Sequence, residues 1–307
     1  MNELDLLNEV SIQYGIPCAK IELIRHNENM TYCIDGMYLL RVHKPKAGFN
    51  TTWLYNNADI IRIHERELEF IEHLKEHGVY VQSPIRNIDN KLVTVLKDGI
   101  PITMLTWISG RIVNKDDLTE QFGYELGKMI GRMHVAAKDY YADNFIRYDE
   151  NLCKRLIGLI SNYFDSGNLD EKYYEAMFNA LESIEYRLKL SEPEHILLHS
   201  DLSLSNILIT ENGLVPIDFS LLGYSNAMLD FGSVYAFVND EKCRMSTIKA
   251  YEEVRGYKVD AREIDYYFAL QVLLGITLHY ELWINEDWFA KRLPQWCNEI
   301  FIPLAHK

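Results

Sequence analysis

The sequence predicts an α+β protein in two parts, an N-terminal sheet lobe with one key helix and a mainly helical remainder. Three observations predict it. Strand-like stretches dominate the first hundred residues. Helical periodicity dominates beyond about residue 110. The stretch "LLHSDLSLSNILITENGLVPIDF", residues 197–219, is the one hairpin-like interruption among the helices. A chain of 307 residues has room for two lobes and a sizeable core. Its 48% hydrophobic and 25% charged residues are those of an ordinary globular protein.

The strands come first. "KIELI", "MTYCI" and "MYLLRV" alternate in the strand manner, and "KLVTVL" ends at a Lys97-Asp98-Gly99 turn. Between them "ADIIRIHERELEFIEHLKEHG" has helical spacing and is closed by Gly78. "ITMLTWI" is a further apolar strand, and Ser109-Gly110 breaks the pattern after it. Helices follow in "TEQFGYELGKMIGRMHVAA", "NLCKRLIGLISNYF", "EKYYEAMFNALESIEYRLKL" and a long tail from about Asp240. The switch near Ser109 divides the chain into residues 1–108 and 109–307.

Several classes of function are excluded. The formal charge is −14, and no run of Lys and Arg forms a basic patch, so nucleic acid is not an expected partner. The five cysteines are scattered and form no C-x-x-C pair, which fits a reducing cytoplasm and argues against a zinc site or a disulfide framework. The start, "MNELDLLNEV", is acidic and amphipathic and does not read as a signal peptide. The most apolar window, "YYFALQVLLGITLHY", is broken by Gln271, Thr277 and His279, so no membrane span is expected.

The stretch at 197–219 places Asp201, Asn206 and Asp218 beside aliphatic runs. "NILIT" and "LVPID" read as strands joined at Glu211-Asn212-Gly213, a hairpin signal. If these three residues form the loop, Thr210 pairs with Leu214 and Asn206 falls opposite Asp218. A two-residue loop shifts the pairing by one position. An amide and a carboxylate supply the oxygen ligands that suit Mg²⁺. Each residue alone reads as a turn cap or a salt-bridge partner; the convergence of three on one hairpin is what points to chemistry. Glu67 adds a separate signal. It shares a helix face with Ile60, Ile71 and Leu74, and its i±3 and i±4 neighbours include no Lys or Arg. A carboxylate on an apolar face needs a partner from another element, or else it lies at the edge of that face in water.

The pattern H-x-D-L-x-x-x-N, met by His199, Asp201, Leu202 and Asn206 and followed by Ile217-Asp218-Phe219, resembles the catalytic loop and metal-binding Asp of the protein-kinase-like fold. The closer resemblance is to the aminoglycoside phosphotransferase and choline-kinase-like family. "GYSNAMLDFGSV", "RHNENMTYCIDGMYLLRV", "RELEFIEHLKEHGVYVQSPI" and "ELGKMIGRMH" are similar to successive segments of that family. The resemblance implies a two-lobed protein-kinase-like fold and an ATP-dependent, Mg²⁺-dependent transfer of a phosphoryl group to the hydroxyl of a small molecule. It gives Asp201 the role of catalytic carboxylate, and Asn206 and Asp218 the Mg²⁺. It pairs Glu67 with Arg41 beneath the nucleotide phosphates, and makes "TMLTWISGR" a hinge where backbone groups of Thr106 and Ile108 meet the adenine edge.

Three departures from the family stand out. Arg41 replaces the Lys usual in the wider fold, and a planar fork does not contact phosphate as an ammonium does. No G-x-G-x-x-G loop exists, so "RHNENMT" must cover the phosphates. Ser200 and Ser220 stand where glycines are common, and the Ser200 hydroxyl is expected to tune the substrate end of the site. A protein kinase is disfavoured, since Asp218 and Asp230 are too close for an activation segment and no A-P-E motif follows. A pseudokinase that only binds nucleotide has no need of Asp201, Asn206, Asp218 and Glu67 together. The acidic residues Asp116, Asp117, Glu150 and Glu281 read either as receivers of a cationic acceptor or, more simply, as solvated helix faces.

Overall fold

The computed structural model describes residues 2–48, 52–55, 59–190 and 196–306. In chain order they form α1 (Glu3–Tyr14), β1 (Ile21–His26), β2 (Met30–Ile34), β3 (Tyr38–Val42), α2 (Ile60–Glu76), β4 (Pro84–Ile85), β5 (Val93–Val95), β6 (Pro101–Thr106) and β7 (Arg111–Ile112). There follow α3 (Glu120–Ala137), β8 (Ile146–Arg147), α4 (Glu150–Asp165), α5 (Glu171–Leu190), β9 (Ile196–Leu198), β10 (Ile207–Thr210), β11 (Gly213–Pro216) and β12 (Gly223–Ser225). The chain ends in α6 (Met228–Phe237), α7 (Glu241–Arg255), α8 (Ala261–Trp283), α9 (Asp287–Trp296) and α10 (Ile302–Ala305). Among the described residues no helix is long and apolar enough to cross a membrane. Two compact units result. The first is Met1–Arg111 with Tyr140–Phe145 and Leu208–Ser220; the second is Ile112–Asp139, Ile146–Ile207 and Leu221–Lys307. The first unit thus takes in the hairpin that carries Asp218, which a division at 108/109 leaves with the helices.

The first unit is built on an antiparallel sheet in the order β1-β2-β3-β6-β4, with β5 also on β6. Side chains alternate between its two faces. Tyr32, Ile34, Leu40 and Met104 belong to one face and pack with Leu6, Leu7, Val10 and Tyr14 of α1. The i, i+4, i+8 spacing of Leu6, Val10 and Tyr14 gives this acidic opening one apolar side, which packs on the sheet. Asn2 caps it by accepting from the Asp5 N–H at 2.9 Å. One key helix was expected in this unit, and α1 is a second.

Residues Thr31, Arg41 and Thr103 are paired in register across β2, β3 and β6 and share the opposite face. The helix α2 supplies Glu67 to that side and buries Ile63, Leu68, Phe70, Ile71 and Leu74. Asp59 caps it, accepting from the Ile61 N–H at 2.9 Å. Ala58, where the helix was expected to start, lies outside the described residues. Gly78, at φ 78°, lets the chain turn back, and the Val79 N–H reaches the Leu74 carbonyl at 2.9 Å.

In the second unit, α3 lies close against α7 because Gly123, Gly127 and Gly131 recur every fourth residue along one side. A methyl on Gly127 would overlap the Thr247 carbonyl oxygen, and one on Gly131 would meet Val254 Cβ at 2.8 Å. This approach fixes α3, whose last turn carries His134. Gly127→Ala is therefore expected to destabilise the protein by about 1–3 kcal/mol through overpacking. Gly158→Ala, in α4 with nothing near the added methyl, is expected to stabilise it by up to about 1 kcal/mol through helix propensity. Thermal unfolding of the two variants should shift in opposite directions. The three short strands β8-β12-β9 form a small sheet, β12 running parallel to β8 and antiparallel to β9, and β9 delivers the chain into the loop at His199–Asp201.

Candidate active site

In the first unit, Arg41 and Glu67 form a buried ion pair, Nη1 to Oε1 at 2.7 Å. The partner that Glu67 lacks along its own helix comes from β3. Arg41 Nε also reaches Thr103 Oγ1 at 3.4 Å. Burial alone would raise the Glu67 carboxyl, but the Arg41 charge and hydrogen bond, with His64 Nδ1 3.7 Å away, outweigh it and hold the group at about 2. For Arg41, burial opposes the charge and Glu67 restores it, with a net rise. Beside the pair, His43 and His64 stack with ring centroids 3.4 Å apart. Burial lowers both imidazoles: His43 falls well below its ordinary value, with the His64 and Arg41 charges adding, and His64 falls less, with Glu67 opposing.

Asp218 follows β11 at φ 64°, in the left-handed region. A non-glycine residue held there is the kind of local strain that functional sites keep. Arg41 Nη1 lies 3.9 Å from Asp218 Oδ1, and Arg25 makes an ion pair with Oδ2. Phe219 packs edge-on against Phe70 of α2, centroids 6.4 Å apart, which ties the hairpin to the helix. Glu28 lies nearby; burial first, then the Asp218 charge, push its carboxyl up to about 7. Ser220 Oγ reaches Glu28 Oε2 at 3.5 Å, and the Tyr55 hydroxyl donates to the Ser220 carbonyl. Arg41 Nη2, Asp218 Oδ1 and both ring nitrogens of His64 are buried here with no hydrogen-bond partner among the described residues. Buried polar atoms are normally satisfied, so orphans on Arg41 and Asp218, whose side chains approach to 3.9 Å, fit a ligand bound there.

The second unit holds Asp201 and Asn206. The Asn206 Nδ2 donates to the Asp201 carbonyl at 3.0 Å and to Asp201 Oδ2 at 2.7 Å. Its amide oxygen is thereby turned away from Asp201 and is left as an acceptor. The Asp201 N–H donates to His199 Nδ1 at 3.3 Å, so His199 orients the loop. Asp230, fully buried, accepts from the Ser200 N–H at 2.7 Å and the His199 N–H at 3.3 Å. His134 Nε2 binds the same carboxylate at 2.9 Å, and its Nδ1 contacts the Tyr251 hydroxyl at 3.0 Å. Gln271 of α8 donates to the Ser200 carbonyl at 3.0 Å. The loop is therefore clamped from α3, α6 and α8.

Two expectations need correction, and Thr106 has its N–H engaged. The hairpin loop has two residues, Glu211 and Asn212, since β10 ends at Thr210 and β11 starts at Gly213. The Thr210 hydroxyl donates across it to the Gly213 carbonyl at 2.8 Å. The pairing that set Asn206 opposite Asp218 is not formed; Asn206 ends a 3-10 turn, Leu204–Asn206, before β10. In the segment read as a hinge, the Thr106 N–H donates to the Ser83 carbonyl at 2.8 Å and its carbonyl accepts from Gln82 Nε2 at 2.9 Å. The Thr106 N–H is thus committed inside the first unit. Among the described residues no comparable bond engages the main chain of Ile108. Finally, the Ser200 hydroxyl does not face a substrate: it is fully buried and donates to the Leu198 carbonyl at 3.3 Å. Ser200 sits at φ 67°, which is why glycine is common at that place.

Arg25 and Glu28 beside Asp218, and His134 and Gln271 around the His199–Asp201 loop, were not among the expected site residues, and Asp230 had no role. Gln271 was visible as a polar residue inside the most apolar window of the chain. Of the acidic residues weighed as acceptor contacts, Asp117 closes a capping box with Asn114 and Glu150 lies in the first turn of α4, both structural placements.

The oxygen chemistry of Asn206 and Asp218 fits a hard divalent cation. Asp218 Oδ1 in the first unit and the amide oxygen of Asn206 in the second are each oxygen donors of the kind such a cation takes. Solved structures share this architecture. An amicoumacin kinase, hAmiN, in complex with AMP-PNP, Ca²⁺ and Ami superposes with a TM-score of 0.73 at 17% identity, covering 99% of this chain and 94% of that one. Spectinomycin phosphotransferase, APH(9)-Ia, in complex with ADP and spectinomycin superposes with a TM-score of 0.71 at 16% identity, covering 100% and 98%. The fold is the two-lobed protein-kinase-like one, with an N-terminal antiparallel sheet and a mainly helical C-terminal lobe. A family model, the phosphotransferase enzyme family (APH), matches residues 55–264, more than half of the chain, and the protein belongs to that family. It is also 24% identical over 233 residues to the amicoumacin kinase of Bacillus subtilis (strain 168), a match spanning 73% of this chain and 65% of that protein.

Proposed function

We propose that the protein transfers the γ-phosphate of ATP to a hydroxyl of a small molecule, an aminoglycoside-like antibiotic or a small metabolite. The observation that carries this reading is the pair of orphaned buried atoms, Arg41 Nη2 and Asp218 Oδ1, in a family whose members are phosphotransferases. Both atoms have the charge and position to serve a metal–triphosphate ligand. In this reading residues 1–108 form the nucleotide-binding lobe and residues 109–307 the catalytic and acceptor-binding lobe, with the hairpin lending Asp218 to the first.

Each side chain then has a task. Arg41, locked by Glu67, neutralises phosphate oxygens. Ile108, and the remaining lone pair of the Thr106 carbonyl, meet the adenine edge. Asn206 and Asp218 hold Mg²⁺, which when bound neutralises charge on the phosphates and aligns them. Asp201 accepts the proton of the acceptor hydroxyl, held for that purpose by Asn206 and by the clamped loop. Transfer of this kind needs positioning and charge neutralisation more than covalent chemistry, which is why so few groups suffice.

A coupled ADP-release screen tests the proposal. Wild-type protein with Mg²⁺ and either ATP or GTP is given aminoglycosides, amicoumacin, spectinomycin, homoserine, aminopropanol, choline and simple sugars. Acceptor-dependent ADP release with at least one of them is the expected result. Asp218→Ala should abolish it and also remove the Mg²⁺ dependence of nucleotide binding measured by calorimetry. Nucleotide binding that is equal with and without Mg²⁺ in the wild type would contradict the metal assignment.

A further inference from the structure

The first strand carries an irregularity with a chemical consequence. The pairing of β1 with β2 shifts between Leu23 and Arg25: Leu23 lies opposite Tyr32, but Arg25 lies opposite Thr31. Ile24 is the extra residue of a β-bulge. Residues directly opposite share a sheet face. The bulge therefore turns Arg25 onto the face of Thr31, Arg41 and Thr103, which are paired in a row across β2, β3 and β6. In an unbulged strand Ile24 would stand there.

From that row two guanidinium groups converge on one carboxylate. Arg25 forms an ion pair with Asp218 Oδ2, and Arg41 approaches Oδ1 at 3.9 Å. The two arginines differ in freedom. The Arg41 side chain is 5% exposed and tied to Glu67, whereas that of Arg25 is 40% exposed at the edge of the sheet. Glu28, at the turn between β1 and β2, is the other carboxylate that feels Arg25. A divalent cation on Asp218 and a guanidinium on the same carboxylate repel each other, and only Arg25 is able to leave.

We propose that Arg25 is a phosphate-binding residue stored on Asp218: it neutralises the carboxylate in the metal-free protein, and when a divalent cation takes Asp218 its guanidinium passes to the oxygens of the triphosphate. This rests on the reading of Asp218 as a metal ligand. The planar fork of arginine suits phosphate oxygens as well as it suits a carboxylate, so one side chain serves both partners. The exchange also makes metal and nucleotide binding cooperative. Metal alone must displace a cation, whereas metal with nucleotide gives that cation a new anion.

The test separates the two binding events. Mn²⁺ binding to nucleotide-free protein is followed by electron paramagnetic resonance, and binding of AMP-PNP with Mg²⁺ by calorimetry. Arg25→Gln is expected to bind Mn²⁺ alone tighter by roughly 2- to 5-fold, the scale of a half-exposed ion pair. It should bind the nucleotide with Mg²⁺ weaker by about 10-fold or more, the scale of a charge-assisted hydrogen bond. Arg25→Lys, which keeps charge but not the fork, should return Mn²⁺ affinity to the wild-type level and recover only part of the nucleotide affinity. Unchanged or weaker Mn²⁺ binding in Arg25→Gln overturns the storage role, and unchanged nucleotide affinity overturns the phosphate role. If Asp218→Ala binds Mn²⁺ as the wild type does, it is the assignment of Asp218 as a ligand that falls.

Discussion

Asp201→Asn is expected to abolish phosphoryl transfer while nucleotide affinity stays within a few fold of wild type. Loss of a positioned general base costs on the order of 10²- to 10⁴-fold in rate. The substitution is isosteric, and the new amide oxygen is still able to accept from Asn206 Nδ2 where Oδ2 now does, at 2.7 Å. The loop geometry should survive because its clamps lie elsewhere, on Asp230, His134 and Gln271. Single-turnover kinetics and calorimetry on the same sample separate the two effects. Full residual activity, or loss of nucleotide binding alongside activity, would remove Asp201 from the catalytic role.

Glu67→Ala and Arg41→Ala are each expected to reduce kcat/KM for ATP strongly, and the double variant to be little worse than either single one. The reason is burial. Removing one member of a buried pair leaves an uncompensated charge, at a cost on the order of 3–5 kcal/mol, against less than about 1 kcal/mol for an exposed pair. The pair also aims the guanidinium, so the two losses describe one interaction and a double-mutant cycle should report coupling. The sign of the pH effect follows from Glu67. Its carboxyl lies at about 2 in the folded protein against an ordinary 4.5. A depressed folded value contributes stability above the unfolded value, and that stability is lost as pH falls from about 4.5 towards 2. Wild-type unfolding free energy should drop across that window, and Glu67→Gln should flatten the drop. Additive effects in the cycle would mean that the two side chains act separately.

The course of the chain explains what was legible beforehand. The catalytic-loop pattern and the Ile217-Asp218-Phe219 segment were readable because residue type and spacing alone carry them. The need of Glu67 for a partner was readable in part, since a carboxylate on an apolar helix face takes either a distant base or a place at the solvated edge, and it was the family resemblance that named Arg41. The rest depended on single-residue shifts that periodicity does not encode. A two-residue rather than three-residue loop moved Asn206 out of register with Asp218, and a bulge at Ile24 brought Arg25 onto the Arg41 face. Thr106 was named as a hinge residue by the resemblance, which carries no information on its N–H, taken by Ser83, a partner more than twenty residues away. The helix α1 escaped because its stability comes from the sheet beneath it rather than from its own propensity. His134 and Asp230 escaped because a buried His–carboxylate contact leaves no periodic trace.

The central claim is that this chain moves a phosphoryl group from nucleotide to a small-molecule hydroxyl. The most direct measurement is product analysis with γ-³²P-labelled ATP and Mg²⁺, using the acceptor that gives the largest ADP signal. The wild type is predicted to place the label on the acceptor oxygen, in an amount equal to the ADP formed, while Asp201→Asn binds ATP and places none. Label that appears only as inorganic phosphate, or transfer that continues undiminished in Asp201→Asn, would contradict the account.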